Sequence, residues 1–314
     1  MNTRISLLII YLASSGLASG SIFAQEYTTP VTLEAFPEEY EEEIEDTGPI
    51  VPEALISEPI YSDIELGIGY VADDAYFFGR YNGLQTEGAY LVGDIDARSF
   101  SDDGRYWIMR GTNLGLESRY LRLEGGKQGR HKFFLEWDEL PNYMNNTVVT
   151  PFLGVGTDNL TLPSGFVLDP TQPLSPQYPF ALQTKRERVK AGAGFIVKQR
   201  WLFDIDFSNE NKQGVESMGG PIATSTTQLV GRTNTSLLPK PIDQDTNMVN
   251  ATLTYAGDKG QADLKYHASI FSNNYASLTW QDPFNPATGS GSMALAPDNE
   301  FQQLSLTGAY TFPY

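Results

Sequence analysis

Residues Glu187 to Asn209, ERVKAGAGFIVKQRWLFDIDFSN, contain two stretches in which apolar and polar side chains alternate with a period of two. In the second stretch the apolar positions are Trp201, Phe203, Ile205 and Phe207, and the positions between them are Leu202, Asp204, Asp206 and Ser208. Successive side chains of a β-strand point to opposite faces, so this spacing predicts a strand with one apolar and one polar face. Only Lys198, Gln199 and Arg200 separate the two stretches, which predicts an antiparallel hairpin.

The length of these two strands is the second informative feature. Each runs for about 9 to 11 residues, which is what a tilted strand needs to cross a bilayer. Strands of water-soluble proteins are usually nearer 5 or 6 residues. We therefore interpret the hairpin as a unit of an all-β fold, a transmembrane antiparallel β-barrel.

Similar alternation recurs along the chain from Tyr61 onward. The further predicted strands are Ile64–Tyr70, Ala89–Ala97, Tyr106–Leu114, Ser118–Glu124, His131–Trp137, Val249–Tyr255, Ala262–Ile270 and Leu304–Phe312. Together with the hairpin they make about ten strands, with eight and twelve as the alternatives that uncertain boundaries leave open.

The predicted connections fall into two sizes. Short polar turns occur at Ser101–Gly104, Gly125–Gly129, Lys198–Arg200 and Gly257–Gly260, and long loops at Pro141–Arg186, Glu210–Asn247 and Ser272–Asn299. Bacterial outer-membrane barrels have short periplasmic turns and long extracellular loops. This alternation therefore predicts a barrel in the bacterial outer membrane, with its short turns facing the periplasm.

The first 59 residues have a different character. Residues 1–24 combine Arg4, an apolar run from Ile5 to Leu12 and small residues before Ala24, which predicts a secretory signal peptide; a membrane anchor is the alternative. Residues 25–59 hold eleven acidic residues, five prolines and no Lys or Arg, which predicts a disordered linker. A contact for a basic partner is the other interpretation of this acidic segment. The barrel is then expected in residues 60–314.

Composition excludes several classes of function. The chain has no cysteine, which rules out disulfides and covalently attached c-type haem on this chain. A net charge of −18 would repel nucleic-acid phosphates. The two histidines, His131 and His267, stand without the nucleophile, base and orienting group that a hydrolase needs, so we predict no enzyme activity and no metal site.

The alternation also assigns candidate residues to two environments. The positions predicted to face lipid are Trp201, Phe203, Ile205 and Phe207, and those predicted to face the barrel lumen are Asp204, Asp206, Asp263, Lys265 and His267. A wetted barrel interior is the simplest interpretation of the carboxylates. Attraction of cations, or oxygen ligation of a calcium ion, is the alternative.

Six phrases of the sequence, taken together, resemble the MtrB/PioB family of outer-membrane barrels that accompany periplasmic decahaem c-type cytochromes. They are GYVADDAYFFGRYNGL (69–84), NLGLESRYLRLEGGKQG (113–129), TPFLGVGTDNLTLPSGF (150–166), LLPKPIDQDTN (237–247), SLTWQDPF (277–284) and MALAPDNEFQQLSLTGAY (293–310). The resemblance implies that the barrel sheathes a multihaem cytochrome, and with it supports electron transfer across the outer membrane. It also implies that the haem belongs to this periplasmic partner and that an outer-surface cytochrome is a further candidate partner.

Two departures from the family bear on this interpretation. Some members carry an N-terminal cysteine pair that this chain lacks. The family's barrels also have well over twenty strands, whereas a closed barrel of about ten is narrow and largely filled by side chains. We therefore interpret the chain as the N-terminal part of a longer barrel, or alternatively as a shortened member with another function. A small passive or substrate-selective porin is the alternative function, and a barrel lipase is a remote third.

Overall fold

The structure is a computed structural model that describes residues 8–10, 62–167, 174–198, 200–222 and 235–312, and its regular elements are all β-strands. The predicted signal peptide, apart from residues 8–10, and the predicted acidic linker lie outside these residues. Within the described ranges, no helix has the length and apolar character needed to cross a membrane.

Ten strands form the main antiparallel sheet. They are β2 (Ser62–Val71), β3 (Gly88–Phe100), β4 (Arg105–Thr112), β5 (Tyr120–Lys127), β6 (His131–Thr150), β8 (Tyr178–Val197), β9 (Trp201–Ile222), β10 (Thr235–Ala256), β11 (Gly260–Asn273) and β14 (Asn299–Tyr310). A three-residue strand, β1 (Leu8–Ile10), pairs with β14. A second sheet contains β7 (Asn159–Leu160), β12 (Ser277–Gln281) and β13 (Ser290–Ala294).

The main sheet is a meander in which each strand pairs with its neighbours in chain order. Its spatial order runs from β2 through β3, β4, β5, β6, β8, β9, β10 and β11 to β14. Of these ten strands, the first and the last, β2 and β14, do not pair with each other in the described part of the chain, so the sheet stays open. The predicted all-β antiparallel architecture of about ten strands is confirmed.

Two of the three predicted long loops are too long. The structure extends β6 to Thr150, begins β8 at Tyr178, extends β9 to Ile222 and begins β10 at Thr235, so much of Pro141–Arg186 and Glu210–Asn247 is strand. The third predicted loop, Ser272–Asn299, agrees with the connection between β11, which ends at Asn273, and β14, which begins at Asn299.

The extension of β9 is polar on both faces, where Asn209 and Asn211 alternate with Glu210 and Lys212. The extensions of β8 and β10 mix polar residues with a few buried apolar side chains, namely Phe180, Leu182, Leu238 and Ile242. Where the apolar period of two is interrupted, no strand is predicted from the residues alone.

Prolines in the extensions also argued against a strand prediction there. Pro141 lies beyond the end of the β5 pairing, so β6 pairs only with β8 at that point. Pro239 and Pro241 lie in the part of β10 that pairs with β9 but not with β11, whose pairing begins at Gln244. Proline cannot donate to a ladder and is tolerated where one side of the strand is unpaired. The uneven strand lengths therefore create the positions that these prolines occupy.

The short connections join neighbouring strands tightly. At the first, the backbone N–H of Gly104 donates to the carbonyl of Ser101 over 2.8 Å, and Gly104 has a φ of +79°. At the second, β5 extends to Lys127, three residues further than predicted, and the turn contains Gly129 with a φ of +70°. Glycine adopts these left-handed conformations without steric cost, which allows the tight reversals.

Candidate functional site

The four side chains predicted to meet lipid share one face of the sheet. Directly paired residues of neighbouring strands lie on the same face. Register pairs Trp201, Phe203, Ile205 and Phe207 of β9 with Tyr255, Leu253, Ala251 and Val249 of β10. Apolar side chains continue on this face to the edge strand β2, where Leu66 is 75% and Ile68 83% exposed. We call this the apolar face.

The five side chains predicted to line a lumen lie together on the opposite face. Asp206 of β9 pairs with Asn250, which pairs with His267 of β11. The Asn250 amide donates to Oδ1 of Asp206 over 3.0 Å, and its oxygen lies 2.7 Å from Nδ1 of His267. His267, Asn250 and Asp206 therefore form one hydrogen-bonded row across three strands. We call this side of the sheet the charged face.

The remaining predicted residues of the charged face differ in their partners. Asp204 forms a 3.0 Å ion pair with Lys132 of β6. Asp263 accepts a 2.6 Å hydrogen bond from the hydroxyl of Thr254. Lys265 forms no ion pair with any described residue and is exposed. What the structure brings together is thus a wall of paired polar groups rather than one converging site.

The central cation of the charged face, Arg122 on β5, was missed by the sequence analysis. Its guanidinium lies 2.8 Å from Glu124 on its own strand and 2.8 Å from Glu136 on β6. Tyr106 and Tyr120 donate hydrogen bonds to these same two carboxylates. The alternation of Tyr120, Arg122 and Glu124 in the sequence was the signal that could have revealed the cluster.

Ion pairs extend the charged face on both sides of Arg122. Arg188 of β8 contacts Asp138 at 2.8 Å and Glu136 at 3.9 Å, and Lys190 contacts Asp206 at 3.1 Å. On β3, Asp96 lies 2.9 Å from Arg98 and 3.8 Å from Arg110 of β4. Cations and carboxylates thus form ion pairs from β3 to β9, so that many charges of this face are compensated within it.

One large aromatic ring lies flat within this charged network. Phe134 of β6 pairs with Gly192 of β8, and an ideal Cβ on Gly192 would come within 2.5 Å of the Phe134 ring. The guanidinium of Arg122 lies 4.4 Å from the ring centroid, and Nζ of Lys190 lies 5.7 Å from it. Cations over the ring face are attractive. The glycine therefore lets an aromatic side chain lie against the wall between two cations.

Charged and aromatic residues mark the border of the apolar face toward the long loops. Trp137 donates from Nε1 to Glu187 over 3.2 Å, and the guanidinium of Arg119 lies 5.4 Å from its ring. Glu139, one row further on, lies 2.8 Å from Arg119 and 3.1 Å from Lys185. Indole rings favour the boundary between hydrocarbon and water, so this row has the character of a membrane interface.

The connection from β2 to β3 fills the space above the short strand β5. The backbone N–H of Tyr143 on β6 donates to the carbonyl of Arg80 over 2.9 Å, and Tyr76 stacks edge-on against Tyr143 at 5.2 Å. The hydroxyl of Tyr143 donates to Glu117. Burial, and secondarily the Glu117 charge, raises the pKa of Tyr76. The loop therefore protects the edge of β6 where β5 has ended.

A small apolar core lies at the long-loop end. Residues 151–167 and 277–295 form a cap, in which β7 pairs with β12 and β12 with β13. Phe152, Leu160 and Leu278 of the cap are fully buried together with Leu238 of β10. Leu238 pairs with Met218, and the pair of Lys240 with Glu216 lies two positions away on the same face of the sheet. Since Lys240 and Glu216 belong to the charged face, the cap lies on that side. Two loops distant in sequence thus cover one end of that face.

The described residues also lack the pattern of a metal site. They contain no group of three or more His, Cys, Asp or Glu side chains that could hold a metal ion. His131, the other histidine, is exposed beside a short turn, where it pairs with Phe195 on the apolar face.

Comparison with known proteins agrees with this architecture. A family model described as an outer membrane beta-barrel porin, MtrB/PioB, matches residues 70–314. The chain is also similar to Outer membrane protein MtrB from Shewanella baltica (strain OS185), with 30% identity over 259 residues. That match covers 79% of this chain and 35% of the relative, so the chain spans about a third of the relative's length.

These matches confirm three of the predictions. The resemblance drawn from the six phrases is correct, the fold is that of a transmembrane antiparallel β-barrel, and the protein is located in the outer membrane. The family groups porin-like barrels and is not a family of enzymes. The chain belongs to the MtrB/PioB family of outer-membrane β-barrel porins.

Proposed function

We propose that this chain forms part of a barrel wall that sheathes a periplasmic decahaem c-type cytochrome and so supports electron transfer across the outer membrane. In this proposal the apolar face meets lipid and the charged face meets the enclosed protein and water. The haem is carried by the partner, since a chain without cysteine cannot attach c-type haem. The low dielectric of the surrounding lipid then insulates the partner's haems from the bulk.

The observation that carries the proposal is the open sheet. Ten strands lie side by side, yet β2 and β14 do not pair. A closed barrel of this size would have an interior filled by its own side chains, with no room for a second protein. An open wall that further strands continue can enclose a wider space.

The charged face has properties suited to such an enclosure. Many of its carboxylates are ion-paired within the wall, as with Glu136 between Arg122 and Arg188, so these groups do not need the partner's charges for their own stability. Phe134 lies against Gly192 and does not project as an obstacle. A hydrated, internally neutral lining can surround a polar protein without strong adhesion.

Purification from outer membranes tests the sheath. Cells that make the full-length protein together with a decahaem c-type cytochrome should yield a detergent-stable complex with haem absorbance, whereas cells without the barrel should retain the cytochrome in the periplasm. In proteoliposomes, the complex should transfer electrons from an external reductant to an enclosed electron acceptor. Barrel recovered without haem, in cells that contain abundant cytochrome, contradicts the proposal.

A substrate-selective or passive porin is the second candidate function. The family description as a porin and the hydrated charged face favour it. Planar-bilayer recording of the purified protein without cytochrome distinguishes the two functions. Stable single-channel steps that persist when the cytochrome is added support a pore, whereas steps that cytochrome addition abolishes support the sheath.

A further inference from the structure

The turn end of the charged face carries an apolar surface that the charge pattern does not explain. Phe100, Tyr106, Ile108, Ile196 and Leu202 line a concavity of about 370 Å³ there. Phe100 and Ile196 are 48% and 43% exposed. We call these five residues the shelf. Exposed apolar clusters of this kind are unfavourable in water and commonly mark binding surfaces.

Register places the whole shelf on the charged face. Phe100 pairs with Tyr106 and Ile196 pairs with Leu202, one row from the ion pair of Lys132 with Asp204. The side chains of the alternate positions, Trp107, Phe195 and Trp201, lie on the apolar face of the same strands. Since lipid meets the apolar face in the proposed function, the sheet itself separates the shelf from lipid.

The turns around the shelf are basic, although the chain as a whole is acidic. Residues 101–105, 127–132 and 198–200 contain six Lys or Arg against two Asp, a formal charge of +4 in a chain of −18. Several of these cations are paired; Arg105 lies 3.2 Å from Asp103, for example. Arg130 is exposed at the edge of the concavity, and no carboxylate among the described residues lies within ion-pairing distance of it.

We propose that the shelf is a docking site for an acidic segment of the enclosed periplasmic partner, one that inserts an aromatic or branched aliphatic side chain beside Arg130. This rests on the proposed function, in which the short turns face the periplasm and the partner enters from that side. The apolar floor supplies burial, and the unpaired guanidinium supplies charge-assisted hydrogen bonds to a carboxylate. Complementary charge at the rim guides the partner toward the opening.

Photo-crosslinking in cells tests the docking site. The full-length protein carries p-benzoylphenylalanine in place of Ile196 on the shelf, Thr246 on the charged face away from the shelf, or Phe195 on the apolar face. Cells also produce the decahaem cytochrome. Adducts are detected by haem staining, and the crosslinked peptide is identified by mass spectrometry. Each variant must reach the outer membrane at the level of the unmodified protein.

The inference predicts a haem-staining adduct at position 196 whose partner peptide is rich in Asp or Glu. Arg130→Glu should lower the yield of this adduct about tenfold through loss and reversal of the rim charge. Arg105→Glu, at the same end but on the apolar face, should change the yield less than about twofold, because that cation already has a partner.

The other outcomes separate the shelf from the sheath. An adduct at position 246 without one at 196 overturns the docking site and leaves the sheath intact. Absence of haem-staining adducts at both positions overturns the sheath and the docking site together. An adduct at 196 that contains lipid, a peptide without acidic residues, or a yield insensitive to Arg130→Glu also overturns the docking site.

Discussion

The ring of Phe134 occupies the space that a side chain at Gly192 would need, with an ideal Cβ only 2.5 Å from Cε1 of the ring. The two residues are direct register partners on β6 and β8. Because Arg122 lies over the same ring at 4.4 Å, the position of the ring also affects the central cation of the charged face. A single glycine thus supports both the packing and the electrostatics of the wall.

Gly192→Val should therefore destabilise the barrel. The new side chain must displace Phe134, and overpacking of this kind costs about 1 to 3 kcal/mol. The free energy of unfolding in urea, measured after refolding into lipid vesicles, tests this expectation. Gly69→Val is the matched control, because the space around its Cβ is empty within 4 Å. An equal decrease in the free energy of unfolding for both variants would show that the contact with Phe134 is not the cause of the destabilisation.

The assignment of the two faces predicts a large asymmetry on neighbouring strands. Phe203→Arg should make membrane insertion less favourable by about 2 to 4 kcal/mol if the residue lies near the bilayer midplane. Thr252→Arg should cost much less, because it lies on the charged face directly opposite Asp204. Folding yield and unfolding free energy in vesicles measure both. Similar costs at both positions would mean that the faces are wrongly assigned.

The network around Arg122 should show measurable coupling. A double-mutant cycle with Arg122→Gln and Glu136→Gln is expected to give a coupling free energy of about 1 kcal/mol, because these side chains are only 28% and 13% exposed. The pair of Arg105 with Asp103, which is 75% and 48% exposed, should give about 0.2 kcal/mol. Urea unfolding of the four variants in each cycle provides the values. Coupling that is no larger at Arg122 would mean that the network contributes little to stability.

The cap should open without unfolding the wall. Leu278→Ala removes a fully buried side chain from its core, and such truncations cost about 2 to 5 kcal/mol. Hydrogen exchange should accelerate in residues 151–167 and 277–295, while exchange in β8 and β9 stays unchanged. Leu153→Ala, at a 42% exposed position of the same cap, is the control and should have little effect. Acceleration across the whole sheet would instead make the cap an integral part of the wall.

The alternating segments predicted the wall well because their two faces meet different surroundings. In β9, Trp201 to Ser208 alternates without interruption, and the structure pairs this segment with β8 and β10 as expected. The same alternation separated Phe203 from Asp204 before any contact was known. That the two faces meet lipid and lumen remains a prediction.

The half of each long strand nearest the short turns, the turns themselves and the division of side chains between two faces follow from the amino-acid order alone, because a period of two is a local property. The likeness to a family was carried by the six phrases and not by that period. Tertiary structure decided the rest. The extension of β10 through Pro239 depends on a neighbour that is present on one side only. The cap joins Leu160 to Leu278, and the shelf joins Phe100 to Leu202. Contacts between such distant residues arise only when the sheet has assembled, so no local pattern in the chain records them.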